Sequence, residues 1–103
     1  MPFNIKKISY SLMSRKITTV ISFKIESTFE DWVKIFDSNK ADLRRSEFDI
    51  KPLFRELSKD DPKKVICIQQ APEGNIQSFV QANIEWIKSH KVDFLSMEES
   101  SWI

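Results

Sequence analysis

Few side chains in this sequence belong to types that carry chemistry, and their spacing narrows them further. His90 is the single histidine. It stands between Ser89 and Lys91 at the end of a helical pattern, where a cation complements the helix dipole. The roles open to it are a ligand contact, a haem ligand or a proton shuttle, against the plainer reading of an exposed helix-end histidine. Arg55 and Glu56 adjoin in the middle of a strand pattern, so one of them must point away from the helices, toward a pocket or a dimer face. An arginine there would hold an anionic ligand, and an edge-strand ion pair that discourages aggregation is the competing role. Trp102, next to last in the chain, must fold back on the helices, the sheet or a partner chain. Arg55, His90 and Trp102 are therefore the candidate ligand-binding residues.

Other chemistries are excluded or weak. Cys67 is the only cysteine and lies in an apolar run, so it reads as a small buried hydrophobe, not a low-pKa nucleophile. One cysteine and one histidine cannot build a zinc site of the usual composition. A single glycine rules out the glycine-rich phosphate loops of both Walker and dinucleotide type. Asp60-Asp61 and Glu98-Glu99 are adjacent pairs, which in a strand face opposite ways and in a turn are solvated. No Ser-His-Asp or Cys-His set can be assembled. The expectation is no catalytic residue, no metal and no cofactor.

These residues must be positioned by elements that the periodicity marks. Ile17, Thr19, Ile21, Phe23 and Ile25 alternate with Lys16, Thr18, Val20, Ser22 and Lys24, a half-buried first strand. Ser27 or Thr28 then offers an N-cap, and Phe29, Trp32, Val33 and Phe36 form one helical stripe. Asp37 to Asn39 weakens this helix; Lys40 to Glu47 continues it or makes a second short helix, with Leu43 and Phe48 turned inward. Ile50 to Leu57 is a second strand, placed at an edge by Pro52. Ser58 to Lys63 is a turn, and Lys64 to Gln70 a third strand, apolar on both faces and hence central. Ala71 to Gly74 forms a loop, with Asn75 as N-cap of a helix whose inner face is Ile76, Phe79, Val80, Ile84 and Ile87, with Asn83 among them. Trp86 falls beside that face, and the helix ends near Ser89 to Lys91. Ser96 to Ile103 is the fourth strand.

The order β-α-β-β-α-β with right-handed crossovers predicts an α+β ferredoxin-like plait: a four-stranded antiparallel sheet with two main helices on one face. Two helices cover one face only. The third strand would then leave Ile66 and Ile68, or Val65 and Cys67, open to water, and a second copy of the same sheet is the simplest cover.

The 103 residues, 41% hydrophobic and 30% charged, suit one globular domain. Sixteen basic against fifteen acidic residues, well interspersed, disfavour nucleic acid. No stretch approaches a spanning helix or a signal-peptide core, so no membrane partner is expected. With one cysteine, a reducing cytoplasm is the expected compartment. Residues 1–14 are expected to be a peripheral tail ahead of a single domain over residues 15–103, with Met13 an alternative start.

The segments TTVISFKI, TFEDWVKIFDS, DIKPLFRELSKDDPKKVICIQQAP and ESSWI resemble a small family of unknown function found mostly in marine picocyanobacteria. The resemblance covers Ile17 to Ile103; the DDPKKVI turn and the Ser-Trp ending are its most specific pieces. The plait is also similar to the dimeric α/β-barrel superfamily, which includes cofactor-independent monooxygenases, haem-degrading enzymes and small-molecule-binding proteins. One departure stands out: the turn before the second strand, often glycine in such folds, is Phe48-Asp49. The expectation is a homodimeric accessory module that binds a small ligand or a protein. The alternative is a cofactor-independent oxygenase or isomerase with a pocket between sheet and helices.

Overall fold

The structure, a computed structural model, describes residues 15–103, so the expected tail over residues 1–14 lies outside the described residues. The elements are β1 (Lys16–Ile25), α1 (Phe29–Phe36), α2 (Asn39–Ser46), β2 (Lys51–Leu57), β3 (Lys64–Pro72), α3 (Asn75–Ala82), α4 (Ile84–Lys88) and β4 (Val92–Trp102). The four strands form one sheet in the order β2-β3-β1-β4, every neighbouring pair antiparallel. The predicted ferredoxin-like plait is the observed fold, with β3 inside and β2 at an edge.

Alternation along β1 and β3 sorts the sheet into two faces. Thr19, Ile21, Phe23 and Ile25 of β1 are buried, as are Val65, Cys67, Gln69 and Ala71 of β3. This face takes the helices: Trp32 of α1 with Ile76 and Phe79 of α3 joins the same core. Trp32 stacks on Phe36 at 5.0 Å and meets Phe23 edge-on at 5.7 Å, while Phe48 meets Phe79 edge-on at 5.7 Å. Thr28 caps α1 by accepting from the Asp31 amide at 3.1 Å, with Glu30 and Asp31 in the first turn.

Several local expectations are corrected. Leu43 is 67% exposed; Ala41 and Arg45, four residues apart, are the buried side of α2. Seven polar or small residues in this eight-residue helix leave its orientation to be set by packing. The strand β3 runs on to Pro72, where a loop was expected from Ala71. Gly74, at φ +87°, is the residue before α3, and Asn75 donates its side-chain amide to the Phe48 carbonyl at 2.8 Å instead of capping the helix. At Asn83 (φ −117°) the second helical segment breaks into α3 and α4, which turns Ile84 outward to 39% exposure. The strand β4 begins at Val92, earlier than expected. Between Ser22↔Glu98 and Lys24↔Asp93 it bulges, and Leu95 is extruded at 99% exposure.

The turn before β2 explains the missing glycine. Asp49 adopts φ +54°, the left-handed region, which a short polar side chain tolerates better than most.

Candidate cavity between sheet and helices

The helix-covered side of the sheet holds a partly open cavity of about 100 Å³. Ile21, Phe23 and Cys67 form its floor, and Trp32, Phe36, Phe79, Val80 and Ile87 its roof. Its wall is otherwise apolar except for Arg45, Gln69, His90 and Glu99. Arg45 and Gln69 are both buried. Arg45 lays its guanidinium on the Phe36 ring at 4.4 Å, and its Nη2 donates to the Phe36 carbonyl (2.7 Å) and to Asp42 (2.8 Å). It thereby closes the C-terminal end of α1.

His90 lines this cavity from the turn after α4 and meets Trp86 edge-on at 4.4 Å. Partial burial lowers its pKa, and the neighbouring Arg44 charge lowers it further, so the imidazole is neutral at pH 7. Arg44 in turn stacks over Trp86 at 4.5 Å and donates to Asn83 at 2.6 Å, tying α2 to the α3–α4 break.

Arg55 stands elsewhere. Its register partner is Cys67, so it faces the helix layer, yet it reaches Asp37 at the C-cap of α1 through two bonds of 2.6 and 3.2 Å. It lines a separate, more open groove beside β2 with Leu53 and Phe54, which Arg45 and Asp42 also border from α2, and it does not reach the cavity. Trp102 is farther still: paired with Thr18, it lies on the helix-free face, 62% exposed, its indole N–H donated to Ser100 at 3.0 Å. Of the three candidate residues, only His90 reaches the cavity.

Sequence reasoning missed Arg45 and Gln69. A signal for Arg45 exists: Ala41, Arg45 and Phe48 follow at i, i+4 and i+7, the spacing of an inner stripe. Gln69 follows from β3 alternation, two residues after Cys67. Cys67 is sealed in the floor, and burial pushes its thiol up to about 12. Among the described residues no three His, Cys, Asp or Glu side chains gather as metal ligands would. No helix among them is long and apolar enough to cross a membrane.

The helix-free face has a different character. Phe54, Ile68 and Val20 are successive partners across β2, β3 and β1, with Ile66 beside them. Phe54 is 48% exposed. Charged side chains border this row, with Lys64 and Glu98 3.6 Å apart.

Residues 16–103 match the model of DUF3764, a domain of unknown function. The chain belongs to that family. No curated protein matches the sequence. Solved structures share the DUF3764 fold at low identity. Protein SO0527 from Shewanella oneidensis is 19% identical, with a TM-score of 0.56 over 86% of this chain and 90% of that one. A NIPSNAP family protein from Agrobacterium tumefaciens is 12% identical, with a TM-score of 0.58 over 86% and 92%. SnoaB, a cofactor-independent oxygenase from Streptomyces nogalater, is 8% identical, with a TM-score of 0.55 over 85% and 91%. At such identities the likeness is one of fold, and this DUF3764 chain takes no activity from it.

Proposed function

We propose that this protein is a homodimeric binding module. Two copies pair through their helix-free sheet faces, and each keeps a small-ligand cavity between its sheet and its helices. The observation that carries this reading is the contrast between the two faces of one sheet. The covered face holds a largely apolar cavity of about 100 Å³. The other presents the Phe54–Ile68–Val20 row to solvent, where a second copy would cover it. The four polar side chains on the cavity wall do not form a nucleophile–base pair, which favours binding over catalysis.

Xenon enters dry apolar cavities and serves as a neutral probe. Under xenon pressure the methyl resonances of Ile21, Ile76 and Val80 should shift saturably, while those of Leu53 and Leu95 stay. Unshifted cavity methyls would contradict the ligand cavity.

One observation favours a second reading, a cofactor-independent oxygenase or isomerase. The neutral imidazole of His90 lines the same cavity and can accept a proton there. On that reading His90→Gln abolishes turnover of a bound substrate without changing its affinity.

A further inference from the structure

Two polar side chains of the cavity retain hydrogen-bonding capacity that the fold does not use. Arg45 is 4% exposed, and only its Nη2 is engaged. Its Nε is buried with no hydrogen-bond partner, and its Nη1 donates to no described residue. Gln69 is 8% exposed, and its side-chain amide bonds to no described residue. Of these atoms the Arg45 Nε is the buried one without a partner, and a buried donor left in this state is rare and costly. Closing the end of α1 requires Nη2 alone, so capping does not account for the remaining guanidinium donors or for Gln69.

The charges around the cavity give the sign of what would fit. Arg45 brings a guanidinium cation to the wall. Its ion-pair partner, Asp42, is largely solvated, with a side-chain exposure of 62%, and the guanidinium charge also acts on Asp37 at the end of α1. Glu99, the one carboxylate on the cavity wall, is exposed and accepts from Gln77 at 2.9 Å. His90 brings no charge at neutral pH. The Arg45 donor left unpaired calls for an acceptor, and the guanidinium charge favours one that is negative. A dianion such as phosphate would need several cations, and its walls here would be aromatic and aliphatic. A monoanion with an apolar body suits both.

Resting on the cavity reading above, we infer that the ligand is a small monocarboxylate. Arg45 is its charge partner, Gln69 adds an amide donor, and Trp32 and Phe79 pack its apolar body. The volume is below the 150 Å³ of a cavity that accepts benzene, which limits that body to about three to five carbons.

The test compares isosteres on the full-length protein at pH 7 and constant ionic strength. Butyrate, butyramide and butylamine are titrated while the Gln69 amide and Ile76 methyl resonances are followed. Butyrate should bind saturably, about tenfold or more tightly than butyramide, because charge-assisted hydrogen bonds are roughly twice as strong as neutral ones. Butylamine should not bind. Arg45→Met should bring butyrate to the level of butyramide. Because that change also opens the end of α1, Gln69→Leu serves as a second variant that keeps the cap and should weaken butyrate several-fold. Equal binding of butyrate and butyramide would overturn the carboxylate assignment. So would the absence of any binding in a protein whose cavity admits xenon. Exclusion of xenon as well would place the failure in the cavity reading itself.

Discussion

Arg55 on the edge strand and Asp37 at the end of α1 form a two-bond ion pair, Nη2–Oδ2 at 2.6 Å and Nε–Oδ1 at 3.2 Å. The hydrogen bonds and charge of Arg55 hold the Asp37 carboxyl below its ordinary value. A carboxyl with a depressed folded-state pKa stabilises the fold above its unfolded pKa near 3.8 and loses that contribution as pH falls through the lower folded value. Both partners are substantially exposed, with side-chain exposures of 36% and 49%, so solvent screens the pair. Arg55→Ala should therefore cost no more than about 1 kcal/mol at pH 7. The loss should shrink as pH falls below the unfolded value of 3.8. Carboxylate affinity should not change, since Arg55 lies outside the cavity. Paired melting curves of both proteins from pH 7 to 2.5 check this.

His90 predicts a different pH window. Its pKa is lowered first by burial and then by Arg44, so the unfolded chain binds the proton more readily. Stability should be fully present above the unfolded value of about 6.5 and decline as pH falls from there toward the folded pKa. Melting temperature should drop between pH 7 and 5 in the native protein and drop less in His90→Gln. As the one histidine, it can be titrated directly by NMR, with a midpoint below 6.5.

The inner face of α3 predicts a contrast between two substitutions. Phe79 is 9% exposed and packs edge-on against Phe48, so Phe79→Ala should cost about 3–5 kcal/mol. Lys88, exposed at the end of α4, should tolerate alanine within about 0.5 kcal/mol. Denaturant midpoints of the two variants measure both.

The plait was legible because its longest signals are periodic: the alternation of Lys16 to Ile25 and the two-sided apolar run of Val65 to Ile68 admit few alternatives. A pocket between sheet and helices was part of the alternative reading, but its polar lining was not legible. Its decisive side chain, Arg45, is a buried cation in a helix where polar residues dominate, and burial of such a residue is decided by the partners waiting for it, here the Phe36 carbonyl and ring. Leu43 was misplaced for the same reason, because hydrophobicity alone pointed inward while Ala41 and Arg45 fixed the face. Arg55 was expected on the right element, but its role depends on the tertiary placement of Asp37. The break at Asn83 carries no proline or glycine; the Asn83 side chain makes it, donating to the Phe79 carbonyl and accepting from Arg44.

The central claim is pairing through the helix-free face, and sedimentation equilibrium of the full chain at micromolar concentrations tests it most directly. The face centres on Ile68, flanked by Phe54 and Val20, and a specific interface there should bury more than about 1,000 Å² in total. The account predicts twice the chain mass for the native protein, and the single-chain mass for Ile68→Glu with its circular dichroism unchanged. A native protein that sediments as a monomer would contradict it, as would an Ile68→Glu variant that remains a dimer.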